Sequence, residues 1–151
     1  MAEEKYTAHP IQLHTLDVQE LHFSAKGDLS KSDQLTDSMF KLVTKHTSYD
    51  SELKRIGVKL EIKMGYGEEP DSSIEPIPFK LWVTIAGLFT VDDDRFDSTF
   101  VEDWAKKNAP LILYPYLREN AYSLAIRCGF RGLLLPLFEV PTIKYSEPNA
   151  E

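Results

Sequence analysis

The sequence predicts an α+β domain, strands first and one long helix last, and three observations carry that reading. Ile56, Val58, Leu60, Ile62 and Met64 alternate with Lys59, Glu61 and Lys63, the period of two that a half-buried strand imposes. Residues 79–91 alternate in the same way, with Phe79, Leu81, Val83, Ile85, Phe89 and Val91 on one side. Residues 108–142 then combine the longest helical pattern of the chain with its densest apolar cluster. At 151 residues the chain is one domain's worth, large enough for a core without cross-links.

In chain order, residues 11–25 form a first strand. Ile11, Leu13, Leu21, Phe23 and Ala25 share one parity while Leu16 and Val18 have the other, so a bulge between the halves is needed to bring them to one face. Residues 26–37 are polar and serine-rich and predict a crossover with no domain boundary. Residues 39–49 form the second strand, where Thr44, His46 and Thr47 favour a pleated surface over a helix. A turn at Tyr49, Asp50, Ser51 and Glu52 leads to the third strand. Residues 65–78, dense in proline, glycine and acids, predict a flexible hairpin loop. They lack the spacing and the following helix of a phosphate cradle.

The fourth strand has a second face of Lys80, Trp82, Thr84, Ala86, Leu88 and Thr90. A solvated face seldom carries a tryptophan and a leucine among polar residues, so something is expected to cover Trp82 and Leu88: a partner subunit, the C-terminal loop or a bound polypeptide. Asp92, Asp93 and Asp94 end the sheet; without the glycine and distal glutamate of a calcium loop they predict a solvated turn. Thr99 and Glu102 have capping-box spacing ahead of a short helix with Phe100, Val101 and Trp104.

The long helix is predicted over 110–128, with Asn108 as cap, Pro110 in the first turn and Gly129 in the left-handed position past the end. Leu113, Tyr116, Leu117, Asn120 and Leu124 form one line on it, and Leu111, Tyr114, Ala121, Tyr122 and Ala125 a second. That apolar arc is wider than one core contact requires, so one side is expected to meet the sheet and the other a partner chain. Pro115, past the first turn, predicts a bend or a late start. The run Leu133, Leu134, Leu135, Pro136, Leu137, Phe138 is stopped by its prolines and predicts a loop over an apolar surface; 143–151 is a polar tail.

The formal net charge of −7 makes nucleic acid and anionic membranes poor general partners. No apolar run is long enough to span a bilayer and residues 1–10 have no signal-peptide pattern, so a cytoplasmic protein without membrane insertion is expected. Cys128 is the single cysteine, expected as a small packed side chain at the helix end. His9, His14, His22 and His46 have no metal-ligand spacing and are read as surface or half-buried residues, no serine sits in a nucleophile elbow, and Arg118 and Glu119 read as a helix-surface or interface ion pair. No catalytic residue, cofactor or metal is assigned, and the chain is not expected to be an enzyme.

Asn108-Ala109-Pro110-Leu111-Ile112-Leu113-Tyr114-Pro115-Tyr116-Leu117-Arg118-Glu119, then Arg127-Cys128-Gly129-Phe130 and Leu133-Leu134-Leu135-Pro136, resemble the N-I-L-F-P-Y-A-R-E … R-G-x-F … L-x-L-x-P segment of the SecB protein-export chaperones. The resemblance covers roughly a quarter of the chain and implies a four-stranded antiparallel twisted sheet with helices on one side, in a homo-oligomer built as a dimer of dimers. It implies an ATP-independent holdase whose apolar grooves bind unfolded polypeptide, either preproteins for transport or the antitoxin of a toxin–antitoxin system. Tyr114, Tyr116, Leu133, Leu134, Leu135 and Phe138 would line or support the groove, with Trp82 and Leu88 added by strand parity. Docking of the motor SecA needs an acidic sheet face; here Glu20 is present but Ser24 and Trp82 stand where acids are expected, which tells against it. A second reading, from another class, is a carrier of a small apolar ligand in a cleft under residues 133–138.

Overall fold

The computed structural model describes residues 5–25, 41–66, 79–130 and 133–137. The expected crossover, most of the acidic loop, the polar tail and Phe138 lie outside the described residues. Four strands, β1 (Ile11–Ala25), β2 (Lys41–His46), β3 (Arg55–Met64) and β4 (Phe79–Val91), precede two helices, α1 (Val101–Lys107) and α2 (Ala109–Arg127). The strands form one antiparallel sheet in the order β1-β4-β3-β2, so β1 and β2 are its edges.

The parity conflict in β1 is resolved by two bulges rather than one. The register slips between Leu13 and Thr15 and again between Val18 and Glu20, leaving His14 and Gln19 as the extra residues. Each slip flips the alternation, so Ile11 and Leu13, then Leu16 and Val18, then Leu21 and Phe23 all reach the face that carries Phe89, Ile85, Val83 and Leu81 of β4. Fifteen residues of β1 thereby pair along thirteen of β4.

On that inner face the core residues of β3 and β4 are almost wholly buried, and α2 lies across them. Every fourth position of α2, from Ala109 through Leu113, Leu117 and Ala121 to Ala125, is fully buried. The buried stripe therefore takes members of both predicted lines, while Tyr116 and Tyr122 face away. At Gly87 of β4 a Cβ would stand 2.8 Å from Leu113 Cδ2. A side chain there would have to displace the buried Leu113 side chain.

The helix ends differ in how far the local rules apply. At the C-terminus, Gly129 has φ 85°, its N–H donates to Ile126 O (3.0 Å) and that of Phe130 to Ala125 O (2.9 Å), the paired bonds of a Schellman cap. Phe130 then packs against Phe79, with ring centroids 5.2 Å apart. At the N-terminus, Asn108 is helical and makes no capping bond, because the chain passes from α1 to α2 with its N–H on Trp104 O at 2.7 Å. The helix begins at Ala109, before Pro115, so it does not start late; Pro115 sits on its exposed side. Ahead of α1 a 3-10 turn, Ser98–Phe100, is capped by Asp97 and not by Thr99: Asp97 Oδ1 accepts from Thr99 N and Oγ1 at 3.0 and 2.8 Å. A carboxylate two residues upstream reaches those donors directly. Cys128 is exposed at the helix end rather than packed, since the cap turns the chain away there.

Candidate functional site

Beyond Phe130 the chain folds back along α2. Arg118 Nε donates to Leu135 O at 2.7 Å and the Tyr114 hydroxyl donates to Pro136 O, so residues 133–137 run antiparallel to the helix as a strap. Burial pushes the Tyr114 phenol above its ordinary pKa, partly opposed by the Arg118 guanidinium, so the hydroxyl remains a donor at neutral pH. Arg118 serves the strap and Glu119 accepts from Ser123 Oγ at 2.7 Å, so neither bond pairs Arg118 with Glu119.

Along the strap, side chains alternate. Leu133 and Leu135 are 0 % exposed and belong to the core, whereas Leu134 is 57 % and Leu137 76 % exposed. Leu133, Leu135 and Tyr114 thus hold the strap from beneath, and its open apolar surface belongs to Leu134 and Leu137. The place expected for a ligand cleft under this segment is taken by the two buried leucines. On α2 the arc opposite the sheet is also largely apolar, with Leu111, Ile112, Tyr116, Tyr122 and Ile126 each between 37 and 44 % exposed around the Glu119–Ser123 pair. A soluble monomer rarely leaves such a set on one helix uncovered.

Trp82 and Leu88 lie half-buried on the outer face of the sheet. The cover on Trp82 comes from its neighbours: the Lys63 ammonium is 4.3 Å from the ring centroid and Tyr66 meets it edge-on at 6.4 Å. Trp82 Nε1 donates to Glu61 Oε2 (3.1 Å) and Thr84 Oγ1 (3.0 Å), and Thr84 Oγ1 donates to the same carboxylate oxygen at 3.0 Å. Burial pushes the Glu61 carboxyl up, but those hydrogen bonds and the Lys63 and Lys45 ammonium groups outweigh it and hold the group below its ordinary value. Leu88 lies between Gly57 and Thr15.

Sequence reasoning missed an aromatic hollow of about 370 Å³ where the N-terminal segment crosses α1. Phe96, Phe100 and Trp104 line it, with His9 stacked on Trp104 at 6.1 Å. The signal was present as aromatics at every fourth position from 96 to 104, but the first two of them precede α1. Among the described residues no group of three His, Cys, Asp or Glu side chains is placed to share a metal ion, and no helix is long and apolar enough to cross a membrane.

No known family profile and no curated protein matches the sequence. Among solved structures, the fold is similar to a SecB-like chaperone of Mycobacterium tuberculosis in complex with a ChAD peptide from the HigA1 antitoxin. That match has a TM-score of 0.60 at 16 % identity, over 85 % of this chain and 91 % of that one. A protein of unknown function from Streptococcus agalactiae matches at TM-score 0.47 and 14 % identity, over 87 % of this chain and 100 % of that one. The chain therefore has a SecB-like α+β fold, an open four-stranded antiparallel sheet with one long C-terminal helix.

Proposed function

We propose that the protein is an ATP-independent holdase that keeps unfolded or aggregation-prone polypeptide segments on its apolar surfaces. The observation that carries this reading is the set of half-exposed apolar side chains on α2 beside a strap that turns Leu134 and Leu137 to solvent, on a SecB-like fold. Tyr116 and Leu134 contact the client, with Trp82 and Leu88 on the opposite face; Tyr114, Leu133 and Leu135 shape the surface from below.

Of the two client classes, a dedicated antitoxin is favoured over preproteins. The SecB-like neighbour carries an antitoxin peptide, and the outer sheet face here has few of the acids that SecA docking needs. The protein works as a homo-oligomer in the cytoplasm. The long edge strand β1 leaves Val18 and Leu21 47 and 43 % exposed on the helix side, which suits pairing with a second copy. The reading is tested by isothermal titration of antitoxin-derived and preprotein-derived peptides in the absence of nucleotide. Micromolar or tighter binding of an apolar, aromatic-containing segment is expected; failure of both peptide classes to bind removes the proposal.

A further inference from the structure

The outer face of the sheet carries a charge pattern that the capture of apolar segments does not use. Among the paired strand residues, Lys41, Lys45, Arg55, Lys59, Lys63 and Lys80 point to this side against Asp17, Glu20 and Glu61, six cations to three anions in a chain of net charge −7. On β2 and β3 the cations are directly opposed: Lys41 pairs with Lys63 and Lys45 with Lys59 across the ladder. Like charges facing each other across strands destabilise a sheet. The acid between them, Glu61, turns one oxygen to Trp82 and Thr84 and stands with the other 3.9 Å from the Lys63 ammonium. Among the described residues, no carboxylate lies within ion-pair distance of Lys41, Lys45 or Lys59.

The same place is concave. Gly57 and Ala86 give the outer face a floor without bulk, and the bulged Gln19 with Thr47, Lys45 and Lys59 forms the walls of a hollow of about 300 Å³. Lys45 and Lys59 thus line it beside a small-residue floor, and neither is in an ion pair among the described residues. Lys59 and Lys63 stand about 13 Å apart along β3, and the β2 lysines lie about 5 Å to the side, the footprint of one extended chain. Asp17 and Glu20 on β1 begin about 10 Å from β3, two strands away, so a nucleic-acid duplex would lie over acids.

We propose that the outer face of β2 and β3 docks an acidic, extended polypeptide segment, one of whose carboxylate side chains enters the hollow between Lys45 and Lys59. This does not rest on the holdase reading, which uses apolar side chains, and each can fail without the other.

The test is fluorescence anisotropy of a labelled ten-residue oligo-glutamate peptide, with a single-stranded DNA 20-mer and a DNA duplex as competitors. The full chain is expected to bind the peptide and to lose at least tenfold in affinity between 50 and 300 mM salt, on the order expected for several charge contacts. Lys45→Glu with Lys59→Glu is expected to lose at least a further tenfold, and Lys5→Glu, an exposed lysine elsewhere, none. If the double reversal fails to fold by circular dichroism, Lys45→Gln with Lys59→Gln takes its place, with a several-fold loss expected. Lys45→Glu alone is expected to melt no lower than the parent, because it replaces a like-charge pair by an opposite one. The proposal is overturned by absence of peptide binding, by DNA that binds more tightly than the peptide, or by reversals that leave affinity unchanged. It is equally overturned if the reversal changes only the oligomeric state, which would make this face a contact between copies.

Discussion

Replacing Leu134 and Leu137 together by serine separates binding from folding on a single five-residue strap. Complete burial of a leucine stabilises by about 2 kcal/mol, so a client covering the 57 % of Leu134 now exposed gains at most roughly 1.1 kcal/mol, and the 76 % of Leu137 roughly 1.5 kcal/mol. Together these correspond to a loss of client affinity of up to about 80-fold, at 1.4 kcal/mol per factor of ten. Stability should change by less than about 0.5 kcal/mol, because neither side chain belongs to the core. Leu135→Ala, one position along, is the internal contrast. Its side chain is fully buried, so the substitution should cost roughly 2–5 kcal/mol of folding stability. Both quantities follow from urea unfolding followed by tryptophan emission and from peptide anisotropy on the same samples. Unchanged affinity in the serine variant, or a melting loss as large as that of Leu135→Ala, would refute the assignment of inner and outer sides to the strap.

Gly87→Ala should destabilise by roughly 1–3 kcal/mol, because its Cβ would stand 2.8 Å from Leu113 Cδ2. Combining it with Leu113→Ala should cost less than the two separately in urea unfolding, and strict additivity would mean that the helix does not press on β4 there. Gly129→Ala should cost about 1–2 kcal/mol for the left-handed cap at φ 85°, measured as a lower melting temperature; no change would contradict the Schellman geometry. Glu61 has a folded pKa below its ordinary value of 4.5, so its contribution is complete above that value and is lost as pH falls through the folded pKa. Unfolding free energy measured from pH 7 to 3 should therefore decline below about pH 4.5 less steeply in Glu61→Gln than in the parent. An identical decline in both proteins sinks the Trp82–Thr84–Glu61 account.

How much of this was legible in the sequence depended on whether a rule acts locally. The alternation of β4 is uninterrupted, and its two faces stand as its residues read, from Phe79 at 0 % exposure to Val91 at 5 %. Gly129 likewise acts through its own backbone, and its cap forms where the sequence places it. In β1 the parity break showed that a bulge was needed but not that two slips, at His14 and Gln19, restore one face. That number is set by the neighbour β4. The caps at Asn108 and Thr99 were misread because the chain enters each helix through a preceding helical turn, which the capping pattern does not encode.

For the candidate surface, composition showed an excess of apolar positions on α2 but not which arc the sheet would claim. Period 3.6 gives a helix its stripes; the partner decides which stripe is inside. The leucine run was visible as a group, yet its division into buried Leu133 and Leu135 and open Leu134 and Leu137 follows from two anchors, Tyr114 to Pro136 and Arg118 to Leu135. Trp82 stood out as an unlikely surface residue, and its cover, Lys63 and Tyr66, comes from the adjoining strand and the residues just beyond it. Cross-strand partners of this kind require the register, which periodicity alone does not supply.

The most direct measurement is light scattering from a chemically denatured client diluted into buffer without nucleotide, in the presence of the parent chain or of the Leu134→Ser, Leu137→Ser variant. The account predicts that the parent suppresses aggregation at near-stoichiometric concentration and that the variant, equally folded, needs several times more protein for the same effect. Parent protein that leaves the scattering curve untouched, for globular and antitoxin clients alike, would contradict it.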